Sequence, residues 1–422
     1  MTVRGCRAAA LAVGDELLDG FQADLNSPAL ARFLGERGWS LERVHVVGDR
    51  EDVIAAALVE LARDHALVLV SGGLGPTLDD LVRHGLARAA GVELEHNPEA
   101  WAQVQAWYQR SDRTPPPSNE RQALLPRGAR PLENAWGTAP GVHMCMAGTD
   151  VFALPGPPRE YGPMLEAHVH PWLADQNGDG TVRRVQRFHL FGISESLFAD
   201  QVAGWMERES NPLMGVTAKD GVLSVRLVAE AADEKRAQEL LEVRTMEFTE
   251  RLGAHVFSED ESDPAQVLGA ELISTGTSVT TAESCTGGAL AQALTGVAGI
   301  SDVFREGVVT YANGAKVERL GVDEELLRAH GAVSGPVAEA MARGMAVKTG
   351  ADLALATTGI AGPGGGTEDR PVGLVWFGVH FKGQTASLER RWPPVGRERI
   401  RRWATAQALV LGLQAVRGRF PD

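Results

Sequence analysis

The stretch Ala66-Leu67-Val68-Leu69-Val70-Ser71-Gly72-Gly73-Leu74-Gly75-Pro76-Thr77-Leu78-Asp79-Asp80 sets the fold of the N-terminal part of the chain. Five apolar residues in a row, without polar alternation, read as a strand buried on both faces, the mark of a parallel sheet covered by helices. The glycine-rich loop that follows lies beyond the carboxyl end of that strand, where open α/β sheets bind ligands. Working outward, residues 8–13 and 41–47 read as strands. Residues 27–37 and 52–63 read as helices, with Leu30, Phe33 and Leu34 sharing one face. Strand and helix thus alternate, and the expectation is an α/β domain built on a parallel sheet. The proline runs at 115–117 and in Leu154-Pro155-Gly156-Pro157-Pro158 mark turns, a helix over 164–173 closes the domain, and Gln176-Asn177-Gly178-Asp179-Gly180 has linker composition.

At 422 residues the chain is long enough for two or three domains of roughly 100–200 residues each. Hydrophobic content of 44% with 23% charged residues describes a globular protein with sizeable cores, and no apolar run approaches the ~20 residues that span a bilayer. The apolar run at 8–13 is too short for a secretory segment and reads as a first buried strand. A net charge of −14 argues against broad nucleic-acid binding, which needs a surplus of lysine and arginine. Cys6, Cys145 and Cys285 are widely separated and form neither a disulfide framework nor a zinc spacing, which points to a reducing, cytoplasmic setting.

A small α+β unit follows the linker: strands at 182–191 and 222–229, helices at 195–209 and 234–252. It carries no catalytic constellation. A third domain begins near Asp263, with a helix at 264–275 and a β-like run at 277–281. The turn Thr281-Ala282-Glu283-Ser284-Cys285-Thr286-Gly287-Gly288 then leads into an apolar helix. Further strands at 307–311, 353–357 and 373–379, a helix at 337–349 and a C-terminal helix at 397–416 complete it.

Hydroxyl and thiol side chains at a strand-to-helix turn meet free backbone N–H groups and the positive end of a helix dipole. Such a turn holds a phosphate or steadies the oxyanion formed when a serine attacks an amide; it also reads as a plain helix cap. Ser284 needs a base. Lys316, after the strand at 307–311, serves if burial disfavours its charge, although locally it also reads as a solvated lysine. Cys285 is the rival nucleophile, but its neighbour is Glu283 rather than a cation. Thr357 and Thr358 end a buried strand beside the loop Gly359-Ile360-Ala361-Gly362-Pro363. Arg397 and Arg401, at i and i+4, share a helix face suited to a phosphate or carboxylate, or stand as solvated arginines.

These motifs, in this order, resemble the CinA family over essentially the whole chain. Gly14-Asp15-Glu16-Leu17-Leu18, the loop 72–80, Asn134-Ala135-Trp136-Gly137-Thr138-Ala139-Pro140-Gly141 and Leu154-Pro155-Gly156-Pro157-Pro158 resemble its molybdopterin-binding-like domain. Glu283-Ser284-Cys285-Thr286-Gly287-Gly288, the segment 311–316 and the segment 357–363 resemble its nicotinamide mononucleotide (NMN) deamidase domain. The resemblance implies a three-domain α/β chain. Residues 1–175 would be molybdopterin-binding-like, 181–258 KH-like, and 263–422 an amidohydrolase that converts NMN to nicotinate mononucleotide and ammonia.

In that reading Ser284 is the nucleophile, Lys316 the general base and Thr358 a site threonine. Thr286, Gly287, Gly288, Tyr311, Asn313, Gly359, Arg397 and Arg401 lie on the substrate, and the last domain needs no cofactor. The first domain would be an ADP-ribose pyrophosphatase that uses magnesium, cobalt or manganese. Gly72, Gly73, Gly75 and Thr77 would lie on its substrate, with Asp79 and Asp80 as metal ligands. A homodimer is also implied. Asp15 and Asp24 stand where the family carries threonine and asparagine, and two added carboxylates repel a diphosphate unless a metal neutralises them. The alternative is a nucleotide-binding interaction protein tied to competence or DNA repair, with an inactive N-terminal site.

Overall fold

The computed structural model describes residues 7–176 and 182–421. Two compact units emerge: residues up to Val185 together with Ala229–Glu239, and Gln186–Val228 together with the chain from Leu240 onward. Cys6 and most of the expected linker, residues 177–180, lie outside the described residues.

The first unit holds strands β1 (Arg7–Val13), β2 (Ser40–Val47) and β3 (Leu67–Ser71), with helices α1 (Asn26–Gly35), α2 (Glu51–Asp64) and α3 (Val82–Ala90). Three further strands follow, β4 (Arg130–Leu132), β5 (Gly141–Met146) and β6 (Thr149–Leu154). The sheet order is β2-β1-β3-β6-β5-β4. β2, β1 and β3 run parallel, as the apolar runs predict, β6 joins them in parallel, and every residue of β3 is buried. Alternate residues feed two cores. Ala9, Leu11, Val68 and Val70 meet Ile54, Leu58 and Leu61 of α2, whereas Ala8, Ala10, Leu67 and Leu69 meet Leu30, Phe33 and Leu34 of α1.

The parallel expectation holds only for those four strands. β5 pairs antiparallel with both β6 and β4, so the sheet is mixed. The cause is local: β5 and β6 are joined through Ala147 and Gly148, both at positive φ (52° and 81°), the backbone of a tight hairpin turn.

In the middle segment, β7 (Val182–Phe191), α4 (Glu195–Gln201), β8 (Leu213–Lys219), β9 (Val222–Ala231), α5 (Glu234–Leu252) and β10 (Val256–Ser258) form a four-stranded sheet, order β8-β9-β7-β10, with its two helices. The helix expected over 195–209 is shorter, since Gly204 at φ 85° breaks the helical path.

The last segment begins with α6 (Pro264–Thr275), which ends at left-handed Gly276. β11 (Val279–Glu283), α7 (Ala289–Thr295), β12 (Phe304–Val309), α8 (Asn313–Leu320), α9 (Gly335–Thr349), β13 (Leu353–Gly359), β14 (Leu374–Phe381), β15 (Gln384–Arg391) and α10 (Arg397–Val416) follow. The sheet order is β12-β11-β13-β14-β15, with the first three parallel. One face packs Leu268 and Leu272 of α6, Leu290 and Leu294 of α7, and Ile400, Ala404 and Ala408 of α10. The other packs Val337, Met341 and Met345 of α9. Among the described residues no helix is long and apolar enough to cross a membrane.

Candidate active site

β11 is the central parallel strand of its sheet, and its last residue, Glu283, pairs with Val309 on one side and Thr357 on the other. Ser284 therefore leaves the sheet at its carboxyl edge, flanked by the ends of both neighbours. The strand runs two residues further than the sequence pattern gives, which places Glu283 under the turn and completely buried. Its carboxylate accepts from the Thr286 hydroxyl (2.6 Å) and from the N–H groups of Gly288 (2.9 Å), Leu290 (3.0 Å) and Ala291 (2.8 Å). The helix N-terminus is thus capped from within, and the N–H groups expected to face a ligand are taken by Glu283. Within the turn, the N–H groups of Cys285 and Thr286 face the Cys285 sulfur. Gly287 and Gly288, at φ 61° and 94°, supply the left-handed backbone that reverses the chain above the carboxylate.

Lys316, in the first turn of α8, points back under the same sheet edge and is 1% exposed. Its Nζ lies 3.2 Å from Ser284 Oγ, 2.7 Å from the Thr310 carbonyl and 3.3 Å from the Tyr311 carbonyl. No carboxylate pairs with it among the described residues. Burial pushes its pKa below the ordinary lysine value, only partly opposed by the Cys285 side chain. A neutral amine has two protons and one lone pair. With the two carbonyls taking the protons, the lone pair is left facing Ser284 Oγ, the geometry of a base that accepts the serine proton. Cys285, in contrast, is buried and its thiol is pushed up to about 12 by that burial, which leaves almost no thiolate at neutral pH.

Other expected residues divide between this edge and other duties. The Arg397 guanidinium donates to the Gly362 carbonyl and to the Tyr311 hydroxyl, each at 2.9 Å, which joins the glycine loop, Tyr311 and α10 into one rim. Tyr311 is 58% exposed and Asn313 is exposed beside it. Thr358 is buried and its hydroxyl donates to the Ala332 carbonyl (2.7 Å); Gly359 is the last residue of β13. Arg401 gives Nε and Nη2 to the Thr286 carbonyl.

Comparison with known proteins places the whole chain. A family profile described as the CinA C-terminal domain matches residues 261–416, one described as the damage-inducible protein CinA KH domain matches 186–258, and one described as "Probable molybdopterin binding domain" matches 9–175. A competence-damage inducible protein of Symbiobacterium thermophilum is 42% identical over 94% of this chain and 96% of its own length. The chain belongs to the CinA family. A CinA-like protein of a Synechococcus species is 41% identical over 93% of both chains. A crystal structure of a competence/damage inducible protein from Agrobacterium tumefaciens is 44% identical, covers 35% of this chain and 89% of that one, and superposes with a TM-score of 0.34.

The molybdopterin-binding-like domain of this CinA chain carries its own cavity, of about 580 Å³. It is lined by the residues that follow the carboxyl ends of β1, β2, β3 and β6, the location expected from the sheet. Gly72, at φ 102°, comes so close to β1 that a Cβ there would stand 2.3 Å from the Val13 carbonyl oxygen. Asp80 accepts from the N–H groups of Gly75 (2.7 Å) and Thr77 (2.8 Å) and from the Thr77 hydroxyl, so its carboxylate holds the loop together. Asp24 accepts from the N–H groups of Asn26 and Ser27 and caps α1.

The lining includes Glu16, Asp24, Asp49, Asp79, Asp80 and Glu160, with no lysine or arginine among its described residues. Burial, reinforced by the Asp15, Glu16 and Asp79 carboxylates, lifts the Asp49 pKa above the ordinary value. The fit to a divalent cation is poor. Asp80 is already engaged by three donors of the loop, and no group of three His, Cys, Asp or Glu side chains able to hold a metal occurs among the described residues.

Sequence reading missed Glu283 as the organiser of the Ser284 turn, the Thr310 and Tyr311 carbonyls that orient Lys316, and the Ala332 partner of Thr358. A carboxylate directly before a Ser-x-x-Gly-Gly turn was the available signal for the first. The carbonyls have no sequence signal, since any residue supplies one.

Proposed function

We propose that the C-terminal domain hydrolyses the carboxamide of nicotinamide mononucleotide to nicotinate mononucleotide and ammonia. The observation that carries this reading is the buried Lys316 amine, 3.2 Å from Ser284 Oγ and oriented by two backbone carbonyls. Ser284 Oγ attacks the carboxamide carbon while its proton passes to Lys316 Nζ. The oxyanion of the tetrahedral intermediate builds beside the backbone N–H groups of the turn that follows Ser284. On collapse, Lys316 returns the proton to the departing nitrogen and ammonia leaves. Water then attacks the acyl-Ser284 ester with Lys316 as base, which releases nicotinate mononucleotide and restores the serine.

The choice of substrate is supported by the family resemblance of the 283–288, 311–316 and 357–363 motifs and by the rim of Arg397 and Tyr311, where a cation and a phenol suit a nucleotide phosphate. The test is to incubate the chain with the mononucleotide, quench early and map the acylated peptide. The acyl group of nicotinate mononucleotide on the peptide containing Ser284, together with ammonia release, supports the reading; turnover with the label on another residue overturns the mechanism.

For the N-terminal domain the acidic cavity favours the second reading, a binding or interaction unit without pyrophosphatase turnover. A diphosphate meets six acidic residues there and, among the described lining residues, no lysine or arginine. ADP-ribose incubated with magnesium, cobalt or manganese is expected to stay intact; release of AMP would overturn this part of the proposal.

A further inference from the structure

Arg401 lies one helical turn beyond Arg397 on α10, yet its guanidinium is directed elsewhere. Nε and Nη2 converge on a single acceptor, the carbonyl of Thr286, at 3.1 and 2.6 Å. Among the described residues it has no carboxylate partner. Thr286 lies two residues after Ser284, and its side chain is already fixed by Glu283 and by the Thr357 hydroxyl (2.7 Å). The next two residues are the left-handed glycines, which have no side chains to hold them. The peptide after Thr286 is therefore held at both ends: Arg401 donates to its carbonyl, and its N–H, on Gly287, donates to the Ser284 carbonyl (3.1 Å).

Arg401 also forms part of the wall of a cavity of about 870 Å³, together with Lys219, Val222, Gln292, Arg402 and Leu409. Ser284 and Lys316 do not line it. The cation that clamps the nucleophile turn is thus accessible from a chamber distinct from the nucleophile's own surroundings.

We infer that Arg401 is a positioning residue for the proposed amide hydrolysis: it fixes the peptide after Thr286, whose N–H donates to the Ser284 carbonyl, and so holds the nucleophile turn in place without touching substrate. This rests on the amidohydrolase reading above. Displacing an oriented group by about an ångström reduces turnover by up to about 100-fold while leaving ground-state binding in place. A side chain that reaches its acceptor from an 870 Å³ chamber is also replaceable by a small soluble guanidinium once truncated.

The experiment compares the full chain with Arg401→Ala, Arg401→Lys and Arg397→Ala, with and without millimolar guanidinium. The expected result for Arg401→Ala is kcat lower by about 100-fold with KM within about threefold, and kcat restored at least about tenfold by guanidinium. Arg397→Ala should raise KM and gain nothing from guanidinium. If Arg401→Ala does not fold, Arg401→Lys, which keeps one donor, is expected at intermediate kcat and unchanged KM. A rise in KM with kcat preserved makes Arg401 a substrate contact and overturns the inference, as does loss of kcat that guanidinium leaves untouched in a folded Arg401→Ala. If the wild type does not turn over the mononucleotide, the amidohydrolase reading has failed separately. The rate of Ser284 labelling by a fluorophosphonate then decides: slower in Arg401→Ala and recovered by guanidinium supports positioning, and equal rates refute it.

Discussion

The two parallel sheet edges of this chain share an architecture and differ in chemistry. At each, a buried central strand ends in a glycine-containing turn, and a carboxylate gathers that turn's backbone N–H groups: Asp80 in the first domain, Glu283 in the last. In the last domain the carboxylate is buried beneath the turn and engaged with its N–H groups, so the Ser284–Lys316 pair has no carboxylate beside it among the described residues. In the first, Asp80 lines the cavity itself, with five other acidic residues around it. Fold fixes where a ligand is received; the side chains at that edge decide what happens to it.

The comparison breaks most sharply on removal of the proposed catalytic pair. Ser284→Ala and Lys316→Ala are each expected to lower amide hydrolysis by at least about 1,000-fold, the loss typical of a nucleophile or its base. Neutralising Asp79 and Asp80 together should leave that rate unchanged. Equal losses from the two sets would mean that the edges do not work separately.

Glu283→Gln is expected next. An amide NH₂ facing the buried N–H donors leaves groups unpaired, at about 2 kcal/mol of stability. Asp80→Asn, on a half-buried carboxylate of the corresponding loop, should cost about 1 kcal/mol or less. Urea midpoints for the two variants test the order, and a larger loss for Asp80→Asn reverses it.

Much of this was legible in the sequence because apolar runs report burial directly. β1, β2 and β3 follow from the apolar runs at 8–13, 41–47 and 66–70, and α5, α6 and α10 keep the bounds that their periodicity gives. β8 and β15 were not legible. Both are edge strands: β15 is largely half-exposed and polar, and in β8 most residues are exposed and Leu213, Val216 and Ala218 do not alternate cleanly with polar ones, so the hydrophobic pattern is weak. At the site, Ser284 and Lys316 were legible as residue types. Their approach to each other was not, since it depends on α8 turning back under the sheet edge and on carbonyls that have no residue signature. The two-residue extension of β11 mattered most: it turned Glu283 from a neighbour into the anchor of the turn.

The smallest effect is expected at Asp49. A carboxyl whose folded pKa is raised holds its proton more tightly when folded, so its contribution to stability is lost as pH rises through that value. Asp49→Asn should therefore leave stability unchanged in acid and raise it at neutral pH by less than about 1 kcal/mol. A lower melting temperature at neutral pH would show instead that the acceptor for the Asp15 N–H outweighs the charge.

The central claim is that a neutral, buried Lys316 draws the proton from Ser284. The most direct measurement is ammonia release from nicotinamide mononucleotide as a function of pH, for the wild type and for Cys285→Ala. Because only the unprotonated amine accepts a proton, and burial lowers the Lys316 pKa, activity should rise with pH and level off below the ordinary lysine range in both proteins. A rate that keeps climbing through the ordinary lysine pKa, or that disappears in Cys285→Ala, would contradict the account.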